Sequence, residues 1–594
     1  MKAIKILFFG VALVLGLSSC TEKFLEHELT GSSITQEELD QLGNTNYDRV
    51  SGLYSVMFMY GGDHQSFGQK SIDISTDILS ADIALTNPGY GYWSTEASGT
   101  CSTMGSGLTS YIWSHHFLII ANANKILNNL RKTDKALWTV SDYQAYAEAT
   151  AMRAYSYFNL AHFFSPAQTN SGQNSRYESM GDFNTTDRYP VCPLYFGTDE
   201  EYDPKTTLLI PKMLSPVCDI YAEVITTLED AIVAFQELEA AGVARTSKLA
   251  INEDVAKLML AYASLQFGCY NATPESEYFE KAYTNALDVI NTSEFEIIPL
   301  DYKFVDYQRV ADTTGGFTVK SLLDSIRFGK YTDRLDTIEL GDDFDATLAV
   351  VDTFRVESWG ILDNGFNTIN DKSWMWGLDV TRENTTQLAS FWGQMDIHTY
   401  SYAAAGGILG IDQKLYVEIP ATDVRKKWFN PDIRYCPENK FFDPNKFNPY
   451  LTGTMDGVDR NWLNDIVYMR IEEAYLLAAE AAYRMGKDAE AREILAKLLD
   501  QRDPEVAAQV RAGAGDLKNY LYYNWRVEMW GEGRALMTFK RFEGDKKRGT
   551  NHYLKQGADW SYAMTEMTFD IPYSEYSYNQ ALNQDQEQEE ETKE

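Results

Sequence analysis

Residues 88–93 read Pro88-Gly89-Tyr90-Gly91-Tyr92-Trp93. Three aromatic side chains stand among glycines, with little neighbouring apolar sequence to bury them. An aromatic ring carries a negative face, and the C–H groups of a sugar ring stack against such a face. Tyr90, Tyr92 and Trp93 are therefore candidate ligand contacts, and a packing role fits the same residues. Later loop-rich stretches add Trp359, Trp392, Tyr400 and Tyr402, of which Trp359 and Trp392 are further ligand-binding candidates. Trp374 and Trp376 alternate as on a strand, which puts both on one, inward face.

Catalytic patterns are absent from the sequence: it holds no HExxH, phosphate-binding P-loop, GxSxG or GxGxxG. His115 and His116 are adjacent on an expected helix, and neighbours at i,i+1 do not share a face, so a metal site there is not expected. Gly341-Asp342-Asp343-Phe344-Asp345 could hold a hard cation such as calcium through oxygen ligands, but it lacks the spaced calcium-loop pattern. A solvated turn is the simpler reading, and no cofactor is expected. With 86 acidic residues, some carboxylate pair can always be imagined. Spacing alone does not identify a glycosidase dyad.

The 594-residue chain carries a net charge of −34, which argues against nucleic acid as a partner. At its start, Lys2 and Lys5 precede an apolar run from Ile6 to Leu17, too short for a membrane span and suited to a signal peptide. Leu17-Ser18-Ser19-Cys20 follows and resembles the lipobox of bacterial lipoproteins. A mature chain beginning at lipidated Cys20 is expected. Its several acyl chains would hold it stably on a membrane. The other five cysteines are dispersed and form no disulfide framework, so they read as small buried residues.

The elements that must position these residues are mostly helices. Residues 20–45 read as an extended leader and 46–60 as a helix. Residues 61–108, rich in Gly and Ser, read as ligand-facing loops. Helical periodicity covers Tyr111 to Leu130, Tyr143 to Phe164, 215–238, Asn252 to Phe267, Glu277 to Ile290 and Asp488 to Leu499. Ala147, Ala151, Ala154, Phe158 and Ala161 form a stripe of mostly small residues, and Val467, Ile471, Ala474, Ala478, Ala481 and Met485 repeat it. Such pairs resemble tetratricopeptide units of irregular period. Residues 46–294 and 461–583 therefore read as one helical scaffold, with 295–460 as a loop-rich mixed α/β insertion. That insertion includes β-like runs at Ser373–Leu378 and Lys414–Val417. Residues 584–594 form an acidic tail expected to be disordered.

Motifs along the mature chain are similar to those of the SusD/RagB-like nutrient-binding lipoproteins. They are Cys20 with Phe24-Leu25, Glu148-Ala149 through Arg153-Ala154-Tyr155 to Leu160, Pro190…Pro193-Leu194, Arg470-Ile471-Glu472-Glu473-Ala474-Tyr475-Leu476, Arg526…Glu528…Glu532-Gly533-Arg534, and Ile571-Pro572 with Asn579…Leu582. Glu473 and the degenerate end after Gln584 depart from the pattern. The resemblance implies a mainly α, tetratricopeptide-like SusD-like fold. It implies a non-enzymatic, surface-exposed outer-membrane lipoprotein that captures oligosaccharides, or in some members peptides, beside a SusC-like TonB-dependent β-barrel transporter. The motif residues transfer as scaffold, not as binding site. A peptide binder of the same complex, a lipid-anchored glycoside hydrolase and a protein-binding scaffold are the competing readings.

Overall fold

The computed structural model describes residues 45–167, 189–206, 208–243, 248–270, 277–298, 337–339, 353–355, 366, 369–381, 388–396, 401–431, 434–437 and 464–582. Cys20 and the signal region, Trp359, Tyr400, the Gly341–Asp345 turn and the acidic tail lie outside them. Two stretches of chain build one helical body. Helices Gly107–Arg131, Val140–Phe163, Val217–Ala240, Glu253–Tyr270 and Glu277–Thr292 pack successively. The stack then continues with Glu472–Arg484, which lies against Glu277–Thr292 and is followed by Asp488–Leu499, Pro504–Arg511 and Leu517–Glu528. Among the described residues, no helix is long and apolar enough to cross a membrane.

Local sequence explains these helices. Thr139 caps Val140–Phe163 reciprocally: Asp142 N donates to Thr139 Oγ1 at 3.2 Å, and Thr139 N donates to Asp142 Oδ2 at 3.0 Å. Within that helix Ala147, Ala151, Ala154 and Ala161 are fully buried, so both neighbouring helices can approach its backbone. Ala474, Ala478 and Ala481 do the same between Glu277–Thr292 and Asp488–Leu499.

Three expectations change. The stripe beginning at Val467 is not one helix, because Ile466–Arg470 is a buried strand paired with Trp374–Leu378, and the helix starts at Glu472. Lys414–Val417 lies in a short helix, Gln413–Glu418, begun by Asp412, whose Oδ1 accepts from Leu415 N at 3.0 Å. Residues 61–108 are not all loop. They contain the fully buried helix Gln69–Leu79 and strand β1, Ile83–Pro88, which pairs antiparallel with β2, Gly407–Ile411. The polar residues of Gln69–Leu79 hide a core helix from a hydropathy reading: Asp73 pairs with Lys70 at 3.0 Å inside the helix, while the partners of Asp77 are distant. Asp77 accepts from the backbone N–H groups of Gly531, Gly533 and Ala535.

A charged network fills the C-terminal core. Arg470, Arg502 and Arg425, all with fully buried side chains, converge on Glu528 at 2.7, 2.9 and 3.2 Å. Glu472 bridges Arg470 and Arg502, and Glu532 completes the Arg470 shell at 2.9 Å. Desolvation pushes the Glu528 carboxyl up, but the surrounding arginines overcome it and hold it well below the usual range. Arg526 and Lys546 likewise hold Asp82 down against its burial, each contacting Asp82 Oδ1 at 2.6 Å. Asp82 immediately precedes β1, so this charged core fixes the strand that leads to the aromatic turn. Cys101, Cys192, Cys269 and Cys436 are buried free thiols, and Cys218 is partly buried.

Candidate functional site

The β1–β2 pair sets the geometry. Its register places Pro88 opposite Gly407, so the 88–93 turn leaves β1 beside the segment that enters β2. Gly89, at φ 51°, crosses that segment so closely that a Cβ would sit 2.4 Å from Gly407 N. Only glycine fits there. The turn closes with Gly91 N donating to the Pro88 carbonyl at 2.7 Å. On the facing side, Tyr402 N donates to the Gly393 carbonyl at 2.9 Å and Gly407 N donates to the Tyr402 carbonyl at 2.8 Å.

Five rings meet at this point. Tyr92 and Tyr402 have centroids 4.9 Å apart, Tyr90 and Tyr402 5.9 Å, and His64 and Tyr402 5.1 Å. Tyr60 stands 6.3 Å from His64. Tyr90 is 71% exposed and Tyr60 is 45% exposed, while Tyr92, Tyr402 and His64 are half-buried. The arrangement is an open aromatic face on a firm base. Loop 60–67 brings His64 in: Gly61 N donates to the Ser66 carbonyl at 2.7 Å, and Gln65 N donates to Asp63 Oδ1 at 2.7 Å.

Two proposed contact residues lie elsewhere than expected. Trp93 is 1% exposed. Its φ of 63° turns the side chain away from the rim, and its Nε1 donates to Gln394 Oε1 at 3.0 Å. Gln394 Nε2 in turn donates to the His64 carbonyl at 2.9 Å, and the His64 ring shares a hydrogen bond with the Tyr402 hydroxyl. Trp93 therefore braces the face from beneath, with its ring closed to solvent. Trp392 is also 1% exposed, with Nε1 donating to the Asn464 carbonyl at 2.8 Å. Both indoles have interior partners, as buried tryptophans require. Tyr90 and Tyr92 do stand together. Tyr60 and His64 were not singled out from sequence, and Tyr402 was noted only among the later aromatics.

A groove of about 400 Å³ shares loop 63–66, which carries His64, with the face, and is also lined by Thr95 and Glu96 of helix Ser94–Ser98. A larger surface groove of about 960 Å³, lined by Asn122, Lys125, Asn129 and Tyr202 among others, carries no comparable aromatic cluster among the described residues. Among the described residues, no group of His, Cys, Asp and Glu is arranged to hold a metal ion.

Residues 64–260 match the SusD-like_3 family model, described as starch-binding associating with outer membrane. That stretch includes His64, Tyr90 and Tyr92 but not Tyr402. The chain is similar in fold to a SusD-like carbohydrate binding protein from Bacteroides vulgatus, with TM-score 0.59 and 18% identity over 90% of this chain and 96% of that one. It is equally similar to a SusD superfamily protein from Bacteroides thetaiotaomicron, with TM-score 0.59 and 17% identity over 91% and 98% of the two chains. A putative sugar binding protein from Bacteroides vulgatus gives TM-score 0.58 and 17% identity over 92% and 98%. No curated protein matches the chain in sequence.

Proposed function

We propose that this chain, SusD-like over residues 64–260 and SusD-like in fold throughout, is a non-catalytic receptor for oligosaccharides. The observation that carries the reading is the open face of Tyr60, His64, Tyr90, Tyr92 and Tyr402, held by glycines and by the buried Trp93–Gln394 brace. Rigid aromatic faces bind with little ordering cost, because each ring has few torsions to fix. The family description and the names of two structural relatives, a carbohydrate binding and a putative sugar binding protein, support sugar as the ligand.

The finer parts of the proposal come from the sequence. Cys20 would carry the lipid anchor, placing the protein on the outer membrane and exposed at the cell surface. A SusC-like β-barrel transporter would receive the captured glycan. Retention on a panel of immobilised oligosaccharides and oligopeptides tests the ligand class. Retention by peptides alone would replace the sugar reading with the peptide one. In labelled cells, Cys20→Ala is expected to abolish acylation, and gentle extraction of the native protein is expected to bring a β-barrel partner with it. Continued acylation would refute the anchor. Recovery as a monomer would count against the transporter.

A further inference from the structure

The groove beside the aromatic face has a one-sided chemistry. Its volume of about 400 Å³ falls in the range of small-ligand sites. Among the described residues, its lining includes two acidic residues, Asp63 and Glu96, and several hydroxyls, but no Lys, Arg or His. Asp63 is exposed at the mouth, where Gln65 N and Ser66 Oγ fix its carboxylate at 2.7 and 3.0 Å.

Glu96 lies deeper and is 3% exposed. One of its oxygens accepts from Thr95 Oγ1 at 2.9 Å, and among the described residues no cation pairs with it. Burial pushes its carboxyl up, as expected for an acid without a counter-charge. Ser75 also lines the groove, is 1% exposed, and among the described residues has no hydrogen-bond partner for its hydroxyl. A buried, unpaired hydroxyl is costly enough that native structures rarely keep one without a partner. Together these groups call for an incoming donor, and the missing charge is positive.

Building on the glycan reading above, we infer that this groove is a subsite for a sugar unit bearing a free amine, next to units stacked on the aromatic face. The ammonium answers the Glu96 and Asp63 carboxyls, and the sugar's hydroxyls meet Ser75 and Thr95. A uronate or sulfate in the same place meets two carboxyls with no balancing cation, and like charges in a desolvated site repel strongly.

Calorimetry of the purified protein with β-linked tetramers of glucosamine, glucose and glucuronate tests this, at about pH 6 where the amine is charged. The glucosamine tetramer is expected to bind at least about tenfold tighter than the glucose tetramer, and the glucuronate tetramer to give no binding heat. Glu96→Gln is expected to erase the preference. If that variant does not fold, Thr100→Lys serves instead. Thr100 is exposed on the groove, so a lysine there supplies the missing cation without disturbing the core. Equal affinity for the glucosamine and glucose tetramers, no binding of the glucosamine tetramer, or a preference that survives Thr100→Lys would overturn the inference. So would tighter binding of trilysine than of the glucosamine tetramer, which would make the groove a peptide site. The stacking face is judged separately, by Tyr90→Ala on whichever glycan binds, so either reading can fail alone.

Discussion

The aromatic face and the Glu528 network solve opposite problems within one chain. The face leaves polarisable rings open and fixes them with glycine contacts and a hydrogen-bond brace. The network removes three arginines and their carboxylates from water and satisfies them with one another. Exposed aromatic surface contributes little to folding and is free to bind. Buried charge contributes little net stability when paired, but breaking a pair is very costly. A separate ion-pair cluster, Arg526 and Lys546 on Asp82, holds the root of β1. The comparison predicts that scaffold variants lose stability, and rim variants lose ligand while keeping stability.

The largest effect is expected from Glu528→Gln. It leaves Arg425, Arg470 and Arg502 short of counter-charge in a dry core, and denaturant unfolding should show a loss of about 3–5 kcal/mol. A loss near zero would mean the network is not the rigid half of the contrast.

Glu148 tests the scaffold by pH. Burial pushes its carboxyl up to about 7, against hydrogen bonds from Tyr54 Oη and Gln144 Nε2. A raised acid favours its neutral form in the fold, so the folded chain binds more protons than the unfolded chain between pH 4.5 and 7. Its contribution is full at the acid end and is lost as pH rises. The stability difference between the native chain and Glu148→Gln should therefore shrink by about 1 kcal/mol per pH unit across that window. A difference independent of pH would contradict it.

Trp93→Phe probes the brace beneath the face. It keeps the buried ring but removes the donor to Gln394, leaving a buried acceptor unpaired at a cost of about 1–3 kcal/mol. Ligand affinity should fall with it, because Gln394 positions His64. Unchanged affinity would separate the brace from the face. Tyr90→Ala should barely touch stability, by less than about 0.5 kcal/mol, since the side chain is 71% exposed. Its effect should appear in binding, with about a tenfold weaker affinity.

The same contrast explains what could be read from the chain alone. The helical stack was legible because alanine stripes such as Ala147, Ala151 and Ala154 repeat at helical spacing and need no distant partner to be recognised. The aromatic turn was legible because Gly89 and Gly91 isolate Tyr90 and Tyr92. Trp93 was misjudged because one left-handed residue reverses its direction, and tryptophan does not advertise that conformation. The pairing of His64 with Tyr402 spans 338 residues and leaves no local pattern. The helix Gln69–Leu79 was hidden in part for the same reason: its buried Asp77 is satisfied by backbone groups more than four hundred positions away.

The most direct test is calorimetry of the Tyr90→Ala, Tyr92→Ala double variant beside the native protein, on an oligosaccharide the native protein retains, with thermal unfolding of both. The account predicts that binding falls by about a hundredfold or more while the melting temperature moves by less than about 2 °C. Full affinity in a stably folded double variant would contradict it, and would place the ligand away from this face.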